Sequence, residues 1–401
     1  MRDGWVETTL GDVAKVTSGF AFSTKSWKEH GIPVIKINNV RNGQVSIENC
    51  SYIQEPVPEG ASKFLLKQGD LLITLTGEIG AIGFVTQSLP MYLNQRVGRL
   101  DLLAREKVSL EFIGLFFSLP EVRAEMWSHG KGNAQLNISP TSIQSLTINL
   151  PPLPEQKRIV DFISSVDSYI EALQQQLESA KRSRNAVLHA LLTAGGDDWV
   201  EKSLGEIAEV IGGGTPSTTI GEYWEGDIVW LTPTEISSQD GKVVSDSIRK
   251  ITDLGFKNSG AQMLPKDSVI LTSRASVGFV ALAGKELCTN QGFQSLIPKP
   301  SVLSKFLMFW IQLNRPEFES RSAGSTFKEI SKSNVKSIKL ELPPLPEQKR
   351  IVEIVNTIDE VISQTELTIS KAQNLRSGLL SDLLSGEHEI PVSYDKVMGA
   401  A

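Results

Sequence analysis

Hydrophobic and polar positions along the chain follow two patterns, and each pattern occurs twice. In the first pattern, short apolar runs are separated by Gly, Asn and Pro, which is typical of β-strands and turns. Strict alternation at 146–150 and 338–342 marks the last strand of each such stretch. Longer apolar segments at 110–128 and 304–320 predict helices. The mixture predicts two α+β modules, whose clearest strands are 34–37, 70–75, 227–231 and 268–272.

In the second pattern, apolar positions step by four and three residues directly after each predicted last strand. A 3.5-residue period kept over four to five heptads on two helices predicts that they pack on each other as an antiparallel coiled coil. The alternative is two amphipathic helices on separate cores. The first seam is Ile159, Ile163, Val166, Ile170, Leu173, Leu177, Ala180, Arg184, Val187 and Leu191. The second is Ile351, Val355, Ile358, Ile362, Thr365, Ile369, Ala372, Arg376, Leu379 and Leu383.

The chain is an internal repeat. Residues 150–160 and 342–352 are the same eleven-residue string, LPPLPEQKRIV, and the stretch starting at Trp5 returns in a looser form at Trp199. The prolines enforce an extended entry, and the last one suits the first helical position. Between these anchors the copies diverge, so a constant frame holds two variable modules. We expect module one at 1–150, a helix at 151–196, module two at 197–341, a helix at 342–386 and a tail at 387–401.

Composition narrows the class of protein. Forty Lys and Arg against 46 Asp and Glu give a net charge of -6, which argues against coating nucleic acid through bulk positive charge. The modules are nearly neutral, and the second helix and tail hold most of the acidic excess. Cys50 and Cys288 are too far apart in sequence for a zinc motif, and a disulfide framework is not expected. With no apolar run of about 18 to 20 residues and no signal peptide, we expect a cytosolic protein.

Catalytic chemistry is not predicted. His30, His129, His189 and His388 have no metal-ligand spacing, and the Gly-rich segments 77–83 and 212–214 lack a Gly-Lys-Ser/Thr ending. The Pro-Pro pairs are flanked by leucine, unlike the Asn/Asp-Pro-Pro-aromatic motif that positions an amino group for methyl transfer. A standalone enzyme is therefore disfavoured.

The layout resembles the specificity (S) subunits of type I restriction-modification enzymes over essentially the whole chain. The resemblance depends on the two LPPLPEQKRIV copies, on 18–22 and 31–37 in module one, and on 212–217, 223–224 and 226–233 in module two. It implies that each module is a target recognition domain for one half of a bipartite DNA site. The helices would act as spacer and docking platform for two methyltransferase (M) subunits, which nuclease/translocase (R) subunits would join.

The resemblance implies no cofactor in this chain. S-adenosylmethionine, ATP and Mg would belong to the partner subunits, together with adenine methylation and DNA cleavage. As a pseudo-two-fold dumbbell, the chain would present equivalent surfaces to two copies of one partner. From Ile159 to Leu191 the seam would be roughly 48 Å long, or on the order of 14 base pairs of B-form DNA.

Candidate DNA contacts are loop residues whose side chains suit base edges or phosphates. For each one, a solvated loop residue is the alternative. In module one they are Lys36, Asn38, Asn39, Arg41, Asn94, Gln95, Arg96, Lys131, Asn133 and Gln135. In module two they are Thr215, Thr232, Thr234, Ser273, Arg274, Asn290, Gln291, Thr326 and Lys328.

Both helices begin with a basic pair, Lys157-Arg158 and Lys349-Arg350, although positive charge opposes the dipole of a helix N-terminus. Contact with an M subunit or with phosphates would explain it, and so would pairing of Lys157 with Asp161 and of Lys349 with Glu353. Two further alternatives concern the whole chain. One is a scaffold of two heads on a spacer that never touches DNA. The other is the DNA reader of a modification-only or fused methyltransferase system.

Overall fold

The structure, a computed structural model, describes residues 2–130, 136–274, 276–324 and 328–394. It divides into two compact units, Met1–Gln174 with Thr368–Ala401 (unit 1) and Gln175–Leu367 (unit 2). Both long helices contribute to both units, because the first runs from Leu153 to Thr193 and the second from Leu345 to Ser385. Each unit therefore contains one module, the start of one helix and the end of the other.

Unit 1 is built on three sheets, counted over its described residues. The largest has the strand order β2-β11-β8-β9-β5-β4, the second β6-β3-β10-β7 and the smallest β1-β12. Its strands are β1 (Val6–Thr9), β2 (Ala14–Ser18), β3 (Ile32–Ile35), β4 (Val40–Arg41), β5 (Gly43–Val45), β6 (Ser51–Ile53), β7 (Leu65–Leu66), β8 (Leu71–Thr74), β9 (Ile82–Phe84), β10 (Met91–Leu93), β11 (Val97–Leu102) and β12 (Thr147–Leu150). Its helices are α1 (Leu10–Val13), α2 (Leu110–Ser118), α3 (Pro120–His129), α4 (Pro140–Gln144) and the start of α5 (Leu153–Thr193).

Unit 2 has the same arrangement of sheets over its own described residues, with one strand fewer in each of the two larger sheets. Its sheets have the orders β14-β21-β18-β19-β16, β17-β15-β20 and β13-β22. Its strands are β13 (Val200–Ser203), β14 (Ala208–Gly212), β15 (Trp224–Leu231), β16 (Val243–Val244), β17 (Lys250–Ile251), β18 (Val269–Leu271), β19 (Val280–Ala283), β20 (Cys288–Thr289), β21 (Gln294–Pro298) and β22 (Lys339–Leu342). Its helices are α6 (Leu204–Ile207), α7 (Pro233–Ser237), α8 (Asp253–Lys257), α9 (Ser304–Leu313), α10 (Arg315–Ser320), α11 (Lys332–Ser337) and the start of α12 (Leu345–Ser385). The α+β modules predicted from the repeat are confirmed.

The two predicted helices at 110–128 and 304–320 are each interrupted by a proline. Pro120 begins α3, and the preceding Leu119 has extended backbone angles, as steric conflict with a following proline ring demands. In the second copy α9 ends at Leu313, the non-helical Asn314 separates it from α10, and Pro316 lies in the first turn of α10. Both segments are therefore helical as predicted, but each forms two shorter helices instead of one.

The long helices begin at Leu153 and Leu345, one residue before the proline predicted to start them. They end just before Gly195 and Gly386, which have left-handed backbone angles of φ 65° and 80°. Glycine adopts this conformation without strain and commonly ends helices. None of the described helices is long and apolar enough to cross a membrane.

Every residue of the two predicted seams is buried or partly buried. In unit 1, Ile159 and Ile163 of α5 share the main core with Leu380 and Leu383 of α12. Further along α5, Asp167 pairs with Arg376, which precedes Leu380 on α12. Residue numbers therefore rise along one helix as they fall along the other, and the two segments are antiparallel. Unit 2 shows the same order, with Leu188 and Leu192 sharing its core with Ile351 and Val355, and Lys181 paired with Glu366.

Candidate nucleic-acid interface

The duplicated LPPLPEQ motif forms the joint between each module and the helix that follows it. Gln156 is fully buried, and its amide donates to the carbonyls of Lys107 (2.6 Å) and Pro151 (2.8 Å) and accepts from Ser109 N (3.1 Å). The preceding Glu155 accepts a 3.3 Å hydrogen bond from the indole of Trp5. These contacts fix the direction in which α5 leaves the module.

The same joint recurs in unit 2 with equivalent residues. Gln348, also fully buried, donates to Ser301 O (3.1 Å) and Pro343 O (2.8 Å) and accepts from Leu303 N (2.8 Å). The indole of Trp199 donates to Glu347 over 2.9 Å. The Glu-Gln pair that both copies share is therefore explained by hydrogen bonds that each copy must satisfy.

The two arginines that interrupt the apolar seams form ion pairs across the helices. In unit 2 Arg184 makes two hydrogen bonds to Asp359, with Nη2 and Oδ2 3.1 Å apart. In unit 1 Arg376 does the same with Asp167, with Nη2 and Oδ2 2.8 Å apart. The polar break predicted in each seam is thus a two-point pair that satisfies the guanidinium inside a helix interface.

In unit 1, candidate residues meet where two parallel strands end. Strand β10 pairs with β3 in parallel, so Asn94 and Lys36 leave the sheet side by side. The peptide nitrogen of Asn94 donates to Ile35 O over 3.0 Å, and Gln95 N donates to Phe20 O over 3.0 Å. Gln95 and Arg96 are exposed, whereas Asn94 is buried and its side-chain oxygen accepts a 3.3 Å hydrogen bond from Arg96 N. We call Lys36 and 94–96 the polar edge of unit 1.

A close backbone approach makes this edge possible. Phe20 N donates to Leu93 O over 2.8 Å, and a Cβ on Gly19 would lie 2.3 Å from that oxygen. In unit 2, Gly214 N donates to Thr289 O over 2.9 Å, and a Cβ on Gly213 would lie 1.9 Å from Asn290 O. Only glycine allows the strand to pass so near, and both copies have it.

The polar edge of unit 2 consists of Thr215, Thr232, Asn290 and Gln291. Strand β15 pairs with β20 in parallel, and Asn290 N donates to Leu231 O over 3.0 Å. The Thr232 hydroxyl donates to Glu235 over 2.6 Å, and Thr215 donates to Gln291. This edge occupies the same place in the topology as the edge of unit 1 and shares its Asn-Gln pair, but its other side chains differ.

A second loop borders each polar edge. In unit 2, Ser273 N donates to Gly292 O (2.7 Å), and Ile330 N donates to Ser273 O (3.0 Å). Beside them Arg274 pairs with Glu329 over 2.8 Å, and Lys328 is exposed. In unit 1 the equivalent contact joins Thr76 to Asn137 over 3.0 Å. In unit 2, described candidates from several separate segments therefore lie close together.

Several candidates lie elsewhere. Ser273 is fully buried, and Asn39 is 4% exposed with its side chain hydrogen-bonded to Lys36 N and Glu48 O. Neither presents its side chain at the surface. Asn38 and Arg41 line a recess of about 850 Å³ that also includes residues of α5. Thr234 is exposed in the first turn of α7. Lys131, Asn133, Gln135 and Thr326 lie outside the described residues.

The basic pairs at the helix starts differ in their surroundings. Lys349 lies 3.9 Å from Glu353, with both side chains more than half exposed, which agrees with the i, i+4 explanation for that copy. Lys157 and Arg350 are exposed, and Arg158 is partly buried. Whether these residues bind a partner stays a prediction.

Two cations, Lys36 and Arg249, lie on tryptophan rings, and these contacts were not predicted from the sequence. Lys36 Nζ lies 3.9 Å from the centre of the Trp27 ring and donates to Ser51 Oγ over 2.5 Å. Burial lowers the pKa of Lys36, and it raises the pKa of the neighbouring Cys50 thiol. In unit 2, Arg249 stacks on Trp224. Neither tryptophan belongs to a repeated motif, so periodicity gave no signal for it.

The described residues contain no group of three or more His, Cys, Asp and Glu side chains able to hold a metal ion. In unit 2, burial raises the pKa of Cys288 to about 12, so its thiol is protonated at neutral pH. The polar edges are thus surfaces of amides, hydroxyls and cations, which suit hydrogen bonding to base edges and phosphates.

Comparison with known proteins agrees with this geometry. The model of the type I restriction modification DNA specificity domain matches residues 2–182 and 196–372, and the chain belongs to this family. The type I restriction enzyme MjaIX specificity subunit of Methanocaldococcus jannaschii is 39% identical over 41% of this chain and 39% of its own length. That match spans well under half of the relative.

A second relative aligns over nearly the whole chain. The type I restriction enzyme EcoBI specificity subunit of Escherichia coli is 25% identical over 96% of this chain and 87% of its own length. Among solved structures, a chain from work on complex assembly and conformational transition of the type I R-M system is 18% identical. It covers 96% of this chain and 98% of itself with a TM-score of 0.65, which shows the same fold.

Proposed function

We propose that the chain is the non-catalytic DNA-specificity subunit of a type I restriction-modification complex. Each unit recognises one half of a bipartite, asymmetric DNA site through its polar edge. The observation that supports this most directly is that the two edges occupy equivalent strand ends next to equivalent joints, yet differ in the side chains around a shared Asn-Gln pair. Such an arrangement lets the partners stay constant while each half-site is specified separately.

The helices act as the spacer between half-sites and as the docking surface for two M subunits, which R subunits join. Neutral modules agree with a division of labour in which partner subunits supply much of the attraction to phosphate. S-adenosylmethionine, ATP and Mg²⁺ then belong to those partners, which work in the cytoplasm where host and phage DNA are found.

The test is to co-express the chain with its cognate M subunit and map methylated adenines across the host genome. We expect one bipartite motif. Gln95→Ala should relax the motif in one half only, and Gln291→Ala in the other half only, because each glutamine lies on the edge of a different unit. Gln54→Ala, which is exposed near the opposite end of β3 from Lys36, is the control and should leave the motif intact.

Two outcomes would contradict the proposal. Methylation without a bipartite motif would remove the recognition role, and no methylation together with no sequence-selective duplex binding would favour a scaffold. Relaxation of both halves by either glutamine variant would show that the edges do not act separately.

The spacer role has its own test. Inserting one matched heptad into both helices adds roughly 10 Å, so the gap between half-sites should grow by about 3 base pairs. An unchanged gap in an assembled, active variant would show that the helices do not set the spacing.

A further inference from the structure

Arg249 of unit 2 has a cation–aromatic environment that neither the repeat nor the family match assigns. Its guanidinium carbon lies 3.7 Å from the centre of the Trp224 ring and 5.8 Å from that of Trp230. The two rings pack edge to face with centres 5.1 Å apart. A guanidinium on an aromatic face is attracted by the ring quadrupole and keeps its planar donor edge free.

The aromatic platform is rigid. Trp224 is 9% and Trp230 3% exposed, and both indole N–H groups are hydrogen-bonded to backbone, Trp224 to Ser217 O (3.0 Å) and Trp230 to Gly214 O (2.9 Å). Because the rings are locked, the stacked guanidinium is held in one plane. An arginine held in this way loses little conformational entropy when it binds.

The donors of Arg249 are unused. Among the described residues no side chain forms an ion pair or hydrogen bond with its guanidinium, which is exposed. The adjacent Lys250, by contrast, is paired with Asp246 over 3.0 Å, and that interaction lowers the pKa of Asp246. One neighbouring charge is therefore neutralised while the other is left available.

Arg249 borders the polar edge of unit 2. Its neighbour Lys250 pairs with Val229 of β15, so Arg249 lies beside the end of that strand. The loop before it is attached to the edge by the buried Glu235, which accepts from Ile248 N (2.7 Å) and from Thr232 N (2.9 Å). A surface recess of about 400 Å³ opens between Trp224 and this loop.

We propose that Arg249 recognises a guanine in the half-site bound by unit 2, with Trp224 as its positioning residue. This rests on the proposed function and names one specificity contact within it. A planar fork with unused donors matches the O6 and N7 acceptors of guanine in the major groove. A phosphate contact would need only positive charge. The neighbouring Lys250 is paired with Asp246, so positive charge does not accumulate at this surface.

The test uses the complex of the full chain with its M subunit and duplexes that carry every single-base replacement of the wild-type target. Arg249→Ala should abolish a discrimination of roughly 5- to 150-fold at one G·C pair and leave the other positions unchanged. Arg249→Lys keeps the charge without the fork and should lose most of the same discrimination.

Two further variants separate positioning from charge. Trp224→Leu keeps Arg249 but removes the ring, and should partly relax the same G·C pair, whereas Trp224→Phe should preserve it. Lys250→Ala is the matched control, because its charge is already paired, and should not change selectivity. Thermal melting of each chain checks that folding is retained.

Uniform weakening at every position by Arg249→Ala, with a smaller salt dependence, would assign a phosphate contact and overturn the inference. Unchanged selectivity would also overturn it. Both outcomes leave a wild-type complex that recognises a bipartite site, and so differ from failure of the proposed function, in which the wild type itself shows no such site.

Discussion

Gln156 of unit 1 and Gln348 of unit 2 make the same three hydrogen bonds, whereas Lys36 and Thr232, at equivalent strand ends, have no chemistry in common. The contrast separates two kinds of position. Where the chain joins a module to a helix, buried polar groups demand exact partners, and the copies are identical. Where the chain faces outward, the backbone contacts and one Asn-Gln pair are kept, and the other side chains differ.

The largest effect is expected when the buried amide is removed from each joint. Gln156→Ala and Gln348→Ala should each destabilise their unit by about 3 kcal/mol, because one peptide N–H and two carbonyls lose their partner inside the protein. Calorimetry of the unfolding transitions measures both effects. Gln176→Ala, which is exposed, should change stability by less than about 0.5 kcal/mol.

The decisive result is whether Gln156→Ala and Gln348→Ala lower the free energy of unfolding by equal amounts. If one substitution were nearly neutral while the other was severe, the joints would not be equivalent in energy, and identity of sequence would need another explanation.

A smaller effect is expected at the ion pairs between helices. Double-mutant cycles on Arg184 with Asp359, and on Arg376 with Asp167, should give coupling energies of about 1 to 2 kcal/mol, since both pairs are two-point and partly shielded. The Arg184 pair should be the stronger, because its side chains are 15% and 37% exposed against 23% and 46% for the other pair.

Arg184 also lies 5.4 Å from the centre of the Phe309 ring, which adds to the expected difference. A larger coupling energy for Arg376 and Asp167 would show that exposure does not rank the two pairs. Urea unfolding of the single and double alanine variants provides the data.

The smallest effect concerns the turn that follows the first strand of each module. In unit 2, hydrogen bonds from Ser203 lower the pKa of Glu206 from 4.5 to about 2. Since the folded pKa is below the unfolded one, the stabilisation is complete above about pH 4.5 and is lost as the pH falls through about 2. Glu206→Gln should flatten the melting temperature against pH in this range.

Unit 1 has the same turn with Asp12, whose pKa is also lowered, chiefly by the hydroxyls of Thr9 and Thr8. Asp12→Asn should flatten the acid limb of the profile in the same direction. An unchanged profile in both variants would mean that these caps do not contribute to acid stability.

The heptad seams were predictable from sequence because period and burial coincide along a helix. The ion pairs of Arg184 and Arg376 could not be predicted from sequence. Their aspartate partners lie 175 and 209 residues away and become neighbours only through the antiparallel register of the helices. Asn94-Gln95 recurs as Asn290-Gln291, so the repeat itself marks these positions in the sequence. The burial of Asn39 and Ser273 left no trace, since a polar side chain that serves the backbone looks the same in sequence as one that faces solvent.

The division into units has a consequence for synthesis on the ribosome. Unit 2 is one continuous stretch, Gln175–Leu367, whereas unit 1 combines Met1–Gln174 with Thr368–Ala401. The core of unit 1 includes Leu380, Leu384 and Ile390, so module one emerges first but must wait for the final helix before its apolar surface is covered. Translation of unit 2 begins later, but its last residue, Leu367, is synthesised before the final segment of unit 1. The unit whose translation starts first is therefore the unit that is completed last.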